Sequence, residues 1–288
     1  MSEPVVMTLD GRVHDAAQPL LFADDLAAVR GDGVFETLLV RGGVARAVEL
    51  HLARLAASAA ALQLPTPDLD AWRTVVDESA ALWTRNSADE AVLRLVLSRG
   101  RESGGEPTAF VTVGPLPERV RTARAHGVSV ITLDRGYSVD FSATAPWQLA
   151  GAKTLSYATN MAALRHAVAQ GADDVIYLSS EGRVLEGPRS TVVLARGKTL
   201  VTPSVEQGIL AGTTVAALFE VAEDAGWKCE HGHLYPADLI AADSVWLVSS
   251  VTLAARVTTM NGVVLGRPGS GEQVSEMVDR AVGVAATS

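Results

Sequence analysis

Lysine and cysteine are both scarce in this chain of 288 residues, and each scarcity narrows the possible chemistry. Only three of the 24 cationic residues are lysines (Lys153, Lys198 and Lys228), so a reaction that needs a primary amine has three candidates. The single cysteine excludes an internal disulfide and fits a reducing compartment. A net charge of −9 without a basic run argues against a nucleic-acid partner.

Signals for export, for membrane insertion and for two common enzyme classes are missing as well. The opening residues lack the basic and apolar regions of a signal peptide, and Asp238 and Asp243 interrupt the apolar stretch 237–256. No Gly-x-Ser-x-Gly or Gly-x-Gly-x-x-Gly motif supports a hydrolase or a dinucleotide-binding protein. With 48% hydrophobic residues, the sequence predicts a cytoplasmic globular protein without a membrane partner.

The pattern of apolar residues predicts a mixture of strands and helices in two domains. Helical spacing is found at 50–62, 68–83, 159–169 and 213–225, and β-rich runs include 34–40, 91–97, 128–132, 191–195 and 244–249. Gly42-Gly43 predicts a hairpin turn. Two prolines within residues 115–117 stiffen the backbone, so we predict a domain boundary there, with domains 1–117 and 118–288.

Lys153 lies among small and apolar residues. Its segment, 151–155, reads Gly-Ala-Lys-Thr-Leu, and residues 141–172 contain no carboxylate. Partial desolvation disfavours the charged form of an amine and so favours a nucleophile that can form a Schiff base. The alternative is a lysine that extends from the end of a strand into water. Lys198 and Lys228 lie in polar surroundings and are better explained as solvated surface residues.

A carboxylate and a helix start are also unusual. Glu186 falls in a hairpin segment that alternates toward a core, where an unpaired charge is unfavourable. Its partner is therefore either a protonated pyridine nitrogen or an arginine, Arg183 or Arg189. The run Gly208–Thr214 opens directly into a helix, whose free N–H groups can bind a phosphate, with Ser249-Ser250 as further donors. An ordinary helix cap is the alternative.

Two further features have more ordinary explanations. Arg54, on a largely apolar helix, forms either a structural ion pair or a contact with an anion. Cys229, His231 and His233 lie closer together than the ligands of structural zinc sites do, so no metal site is predicted.

Taken in order, these features resemble the fold-type IV pyridoxal-phosphate enzymes. This family includes branched-chain aminotransferases, D-amino-acid aminotransferases and 4-amino-4-deoxychorismate lyases. The resemblance covers nearly the whole chain and is carried, in chain order, by Arg30–Thr37 (Arg-Gly-Asp-Gly-Val-Phe-Glu-Thr), His51–Leu55, Lys153 with Tyr157, Glu186-Gly187, Leu210–Thr214 and Ser249–Val251.

The resemblance implies that pyridoxal 5'-phosphate is the cofactor and that Lys153 binds it as a Schiff base. Glu186 is implied as the partner of the pyridine nitrogen, which lets the ring withdraw electrons, and Tyr157 as a contact of the ring hydroxyl. Arg54 is expected to bind the phosphate bidentately. The other expected phosphate contacts are Thr213, Thr214, Ser250 and Val251.

Within the family, the resemblance favours 4-amino-4-deoxychorismate lyase, which gives 4-aminobenzoate, a folate precursor, and pyruvate. The segment Ser249–Gly262 is similar in length to the lyase branch and lacks the Gly-Thr-Ala signature of the branched-chain enzymes. The alternative is a class IV aminotransferase acting on D-, branched-chain or other amino acids or amines. A homologue that binds the cofactor without catalysis is a third hypothesis, against which the presence of both Lys153 and Glu186 argues.

The implied fold is α/β (α+β), with a small N-terminal α/β domain and a larger C-terminal cofactor-binding domain that contains a barrel-like sheet. We expect a homodimer and a small amine or amino-acid-like substrate. Candidates for binding a substrate carboxylate are Arg30, Arg94 and Arg101.

Overall fold

A computed structural model describes residues 3–266 and 271–283, with the backbone alone at 142 and 143. These residues form two compact units. Unit 1 contains the residues up to Pro117 together with Ala152–Tyr157, and unit 2 contains Glu118–Gly151 and the residues from Ala158 onward.

Unit 1 is built on an antiparallel sheet. Its strands are β1 (Val5–Thr8), β2 (Val13–His14), β3 (Gly33–Arg41), β4 (Val44–Ala45), β5 (Ala91–Ser98) and β6 (Thr108–Pro115). They form one six-stranded sheet in the order β2-β1-β6-β5-β3-β4. The predicted turn at Gly42-Gly43 is confirmed, and both glycines have positive φ, as a tight hairpin requires.

Unit 1 also contains helices, and the two longer ones pack on this sheet. The helices are α1 (Leu26–Val29), α2 (Val48–Ala61) and α3 (Leu69–Asn86). Helix α2 packs on β3, and α3 packs on β1 and β6. The apolar positions that recur at helical spacing, such as Leu52 and Leu55, are fully buried, as is Trp72 of α3. The core of unit 1 therefore lies between these two helices and the sheet.

The segment Ala152–Tyr157 corrects the predicted domain boundaries. The predicted boundary at residue 117 places it in the second domain, but it pairs with the beginning of β3. Val34 and Thr154 form an antiparallel bridge, and the N–H of Leu155 donates to the carbonyl of Gly33 at 2.8 Å. Backbone pairing with a distant strand thus takes Lys153 into unit 1.

Unit 2 contains the larger sheet. Its strands are β7 (Val128–Asp134), β8 (Asp174–Leu178), β9 (Glu186–Gly187), β10 (Ser190–Arg196), β11 (Thr199–Pro203), β12 (Lys228–Gly232), β13 (Ser244–Ser249), β14 (Leu253–Met260) and β15 (Val263–Val264). The main path is β12-β11-β10-β13-β14-β7-β8, with β15 on β14 and β9 on β10.

The path of this sheet curls back on itself. Leu178, at the end of β8, bridges Val184, and the chain then enters β9, which pairs with β10. The circuit β10-β13-β14-β7-β8-β9 is thereby closed, and Ile176, Val192 and Leu247 are among the buried residues of its apolar core. The predicted α/β fold class with a barrel-like sheet is confirmed.

Unit 2 also contains helices, several of which pack on its sheet. The helices are α4 (Glu118–His126), α5 (Phe141–Thr144), α6 (Ala158–Ala169), α7 (Thr213–Asp224), α8 (Pro236–Ala241) and α9 (Glu272–Gly283). Across the described part of the chain, no helix combines the length and the apolar composition that crossing a membrane requires.

Candidate active site

The backbone of Lys153 is held on both sides by unit 1. Its carbonyl accepts a hydrogen bond from the N–H of Phe35 at 3.1 Å, and its N–H donates to Ser58 Oγ at 3.1 Å. The partly buried side chain places Nζ 4.4 Å from the centroid of the Phe35 ring. At this distance an aromatic face attracts a cation. The amine singled out from the sequence therefore has a fixed backbone and lies over an aromatic ring.

Phe35 also contacts the second predicted residue of this segment. The rings of Phe35 and Tyr157 meet edge to face, with centroids 5.5 Å apart and planes at 88°. One aromatic side chain thus links Lys153 and Tyr157. In the sequence, Phe35 is marked only as a member of the motif Arg30–Thr37. Strand alternation could have singled it out, because position 35 lies on the opposite face of β3 from the buried Val34 and Leu38.

Arg54 lies on α2 and is paired with a buried carboxylate that the sequence analysis did not select. Its Nε donates to Glu36 Oε1 at 2.7 Å, and its Nη2 donates to Glu36 Oε2 at 2.8 Å. His51 Nδ1 lies 2.7 Å from the same Oε2. Glu36 is 0% exposed and His51 is 1% exposed. The three residues form a buried network where α2 packs on β3.

The pKa values of Glu36 and His51 are both lowered in this network, but for different reasons. Burial alone would raise the pKa of Glu36, but hydrogen bonds from Arg54 and His51 outweigh it and lower the pKa to about 2. Burial lowers the pKa of His51, and Glu36 opposes this only in part. Glu36 is consequently an anion and His51 is neutral near pH 7, with its Nδ1–H donating to the carboxylate.

The edge of the Arg54 guanidinium that carries Nε and Nη2 is thus occupied by its two hydrogen bonds to Glu36. The family resemblance implies a bidentate contact between Arg54 and the phosphate, and such a contact cannot use this edge while the ion pair is intact. A phosphate contact from Arg54 must use its other N–H groups. Glu36 binds both Arg54 and His51, and the sequence gives no local signal of these contacts because both partners are distant from Glu36 along the chain.

Glu186 lies in unit 2 with both carboxylate oxygens hydrogen-bonded. Arg135 Nη1 donates to Oε1 at 2.8 Å, and the N–H of Leu210 donates to Oε2 at 3.1 Å. The predicted arginine partners are both wrong. Arg189 pairs with Asp174 at 3.3 Å, and Arg183 contacts a histidine.

Thr191 links three parts of unit 2 that are distant in sequence. On β10 it pairs with Glu186 of β9 on one side and with Val248 of β13 on the other. A Cβ at Gly212 would lie 2.5 Å from Thr191 Oγ1, so the turn before α7 lies tightly against β10. Thr191 is therefore the common neighbour of three predicted parts of the site. These are Glu186, the turn at Gly212 and the end of β13 next to Ser249-Ser250.

The beginning of α7 has the features of an anion-binding site. Its N-cap residue, Gly212, provides no side-chain cap, and Thr213 and Thr214 are buried in the first turn. Helix α7 packs against β13, which leads into Ser250 and the buried Val251. Backbone N–H groups at a helix start, together with hydroxyls and the positive end of the helix dipole, suit a phosphate.

The three candidate carboxylate-binding arginines have different surroundings in unit 1. Arg30 is exposed and lies 3.6 Å from Glu102, and Arg101 pairs with Asp24 at 2.8 Å. Arg94 is exposed and lies opposite Thr37 in the β3–β5 register. Cross-strand partners share a sheet face, as do positions two apart, so Arg94 lies on the face that carries Phe35.

The other two lysines and the single cysteine show no feature of a catalytic site. Lys198 is exposed, and Lys228 is exposed and pairs with Glu230, which confirms that both are solvated surface residues. Burial, and to a smaller extent Glu223, raises the pKa of Cys229 to about 11, so its thiol is protonated near neutral pH. In the regions 3–266 and 271–283, no group of three or more histidine, cysteine or acidic side chains is arranged to hold a metal ion.

Comparison with known proteins adds independent information. A sequence model of the amino-transferase class IV family matches residues 33–260. The chain is 54% identical over 285 residues to a Mycobacterium tuberculosis protein described as a bifunctional aminodeoxychorismate lyase / D-amino acid transaminase, covering 96% of this chain and 99% of that one.

Two solved structures are similar over almost their whole length. One is a hypothetical aminotransferase from Mycobacterium tuberculosis in a PLP-bound form, with 55% identity, a TM-score of 0.95, and coverage of 97% of this chain and 99% of that one. The other is the fold IV transaminase CpuTA1 from Curtobacterium pusillum, with 40% identity, a TM-score of 0.90, and coverage of 96% and 98%.

Proposed function

Because this chain belongs to the class IV aminotransferases, a family of pyridoxal-phosphate enzymes, we propose that it is a 4-amino-4-deoxychorismate lyase that also transaminates D-amino acids. The observation that carries this proposal is the similarity to the mycobacterial bifunctional enzyme over nearly the full length of both chains. The sequence favours the lyase, with the aminotransferase as the alternative. The comparison supports both reactions, and both are proposed for the same residues.

The residues of this chain fit pyridoxal 5'-phosphate. Lys153 supplies the one lysine amine that is not exposed, and it would hold the cofactor covalently. The uncapped start of α7 at Thr213 and Thr214, with Ser250 and Val251, would receive the phosphate. Glu186 would face the ring nitrogen. When bound, the cofactor supplies an electron-withdrawing ring that acidifies the C–H next to the substrate amine.

The proposed proton carrier is Lys153 Nζ. As a base it would take the proton from the substrate carbon that bears nitrogen, and as an acid it would return that proton elsewhere. In the lyase reaction, 4-amino-4-deoxychorismate is split into 4-aminobenzoate and pyruvate. In transamination, the substrate leaves as a keto acid. The destination of one proton therefore distinguishes the two outcomes, while Phe35 and Tyr157 would orient the amine and the ring hydroxyl.

The reaction is tested directly with two substrates. Purified protein loaded with pyridoxal phosphate is incubated with 4-amino-4-deoxychorismate while 4-aminobenzoate is followed by its fluorescence. In parallel it receives D-alanine with 2-oxoglutarate, and L-leucine serves as the comparison substrate. We expect 4-aminobenzoate and D-alanine-dependent pyruvate, both abolished in Lys153→Ala.

Other results would change the proposal in defined ways. Transamination without 4-aminobenzoate would reverse the ranking in favour of the aminotransferase. A visible absorption band that is lost in Lys153→Ala, with no turnover of any amine, would support binding without catalysis.

The proposal also includes a cytoplasmic homodimer. Light scattering after size-exclusion chromatography measures the mass of the assembly. A monomeric mass would contradict that part alone.

A further inference from the structure

Arg135 is fixed at three points around Glu186. Its N–H donates to the carbonyl of Leu178 at 2.8 Å, which anchors the turn after β7. Its guanidinium carbon lies 5.6 Å from the centroid of the Tyr177 ring. Its Nη1 then reaches Glu186 Oε1 at 2.8 Å, within the range of charge-assisted hydrogen bonds.

The other arginines near Glu186 in sequence have different partners. Arg189 pairs with Asp174, whose pKa is raised by burial, and Arg183 contacts a histidine. Burial also raises the pKa of Tyr177, so its ring is neutral beneath the guanidinium. Within the described residues, Arg135 is thus the arginine whose side chain reaches Glu186.

The second oxygen of Glu186 is held by backbone. The N–H of Leu210 donates to Oε2 at 3.1 Å, and residue 210 belongs to the turn that leads into α7. Two donors from different elements therefore fix the plane of a carboxylate that is 13% exposed. Such a fixed geometry is what a group that must meet a ring nitrogen at one angle requires.

We propose that Arg135 is a positioning residue that holds Glu186 ionised and in one orientation, so that the proton shared between this carboxylate and a pyridine-type ring nitrogen rests on the nitrogen. The inference rests on the proposed function, because the ring is that of pyridoxal phosphate. An arginine stays protonated at any physiological pH. Without it, the mostly buried carboxylate of Glu186 loses its ion-pair partner, and taking the proton itself becomes more favourable. The ring nitrogen would then be neutral and withdraw fewer electrons.

The experiment reads the ring nitrogen directly. Apoprotein is loaded with pyridoxal phosphate carrying ¹⁵N in the ring, and the nitrogen chemical shift reports whether it is protonated. The variants are Arg135→Met and Arg135→Gln, which remove the charge, and Arg135→Lys, which keeps it. Arg189→Met is the matched control, since Arg189 is a similarly buried arginine of unit 2 that pairs with a different carboxylate.

We expect a protonated nitrogen in the wild type, in Arg135→Lys and in Arg189→Met, and a neutral one in Arg135→Met and Arg135→Gln. The turnover number should fall by about tenfold or more in the two neutral variants, the effect of losing one hydrogen bond to a charged group. KM should change far less, because the substrate contacts remain.

Failure of the role proposed for Arg135 and failure of the proposed function would give different results. A protonated nitrogen in both neutral variants, or a neutral one in the wild type, would overturn the role of Arg135 while leaving the proposed function intact. Failure of the wild type to bind the cofactor or to form either product would overturn the proposed function. If circular dichroism shows that Arg135→Met is unfolded, Arg135→Gln decides, because it retains a hydrogen-bond donor without the charge.

Discussion

Arg54 binds Glu36 through two parallel hydrogen bonds, from Nε to Oε1 at 2.7 Å and from Nη2 to Oε2 at 2.8 Å. The carboxylate is fully buried, and the pair joins α2 to β3. An arginine expected to meet a phosphate is thus already neutralised in part by a neighbour. The pair fixes the direction of the guanidinium and leaves any phosphate contact to its other edge.

Glu36→Gln should destabilise unit 1 strongly. The substitution keeps the volume of the side chain but removes the charge of one partner of a buried ion pair with Arg54, and breaking such a pair typically costs about 3 kcal/mol or more. Urea unfolding of the apoprotein measures the loss. Glu49→Gln is the control, because Glu49 pairs with Arg73 on the surface, where ion pairs contribute little. Equal losses in the two variants would contradict the importance of the buried pair.

The same network predicts how stability depends on pH. Burial lowers the pKa of His51 beneath its ordinary 6.5, and its partners lower that of Glu36 from 4.5 to about 2. The unfolded chain therefore binds more protons than the folded one. As a result, the free energy of unfolding must decrease as the pH is lowered. The contribution of His51 is lost below about pH 6.5, and that of Glu36 between about pH 4.5 and pH 2.

Urea unfolding between about pH 7.5 and pH 5 isolates the histidine part of this dependence. The wild type should lose stability across the range, and His51→Gln should give a flatter curve. The control is His14→Gln, since His14 lies on the surface strand β2. An unchanged slope in His51→Gln would show that His51 is not held neutral in the folded state.

Several elements were predictable because their signals are local. Helix α7 begins at the predicted residue, and the hairpin at Gly42-Gly43 follows from the need for positive φ. Strand β13 has the predicted ends, 244 and 249. Caps, turns and apolar periodicity act over a few residues and can be read without knowledge of the fold.

The partners within the candidate site were less predictable. The sequence marked Lys153 and Glu186 as unusual, but it could not show that residues 152–157 would pair with β3 or that Glu186 would meet Arg135. Residues 36 and 54 were quoted in separate motifs with no indication that they form one ion pair. Contacts of this kind depend on which strands and helices become neighbours, which no single segment encodes.

Arg94→Ala should weaken binding of the substrate carboxylate. Arg94 shares a sheet face with Phe35, whereas Arg30 and Arg101 are each engaged with an acidic residue. We expect KM for D-alanine to rise about tenfold, the effect of one lost hydrogen bond to a charged group, with a smaller change in the turnover number. Steady-state kinetics of Arg30→Ala and Arg101→Ala provide the comparison. A larger rise in either of these would give the role to that arginine.

Gly212→Ala should weaken cofactor binding by steric displacement. The added Cβ would lie 2.5 Å from Thr191 Oγ1, so the turn before α7 must move. The dissociation constant of pyridoxal phosphate should rise by about tenfold or more, since small displacements of a binding loop have effects of this size. Binding of pyridoxal, which lacks the phosphate, should change less. Fluorescence titration of the apoprotein measures both ligands.

Two further variants test whether displacement is the cause. Gly114→Ala should have no effect, because a Cβ there meets nothing within 4 Å. Adding Thr191→Ala to Gly212→Ala removes the clashing hydroxyl and should restore much of the affinity. Persistent weak binding in the double variant would point to a backbone requirement at Gly212 instead.

The covalent anchor of the cofactor is tested most directly by reduction and mass spectrometry. The protein is loaded with pyridoxal phosphate, treated with sodium borohydride and digested, and the modified peptide is sequenced. We expect a phosphopyridoxyl group on Lys153, and no modification in Lys153→Ala. A label on Lys198 or Lys228, or a loaded protein that carries no label, would contradict this expectation.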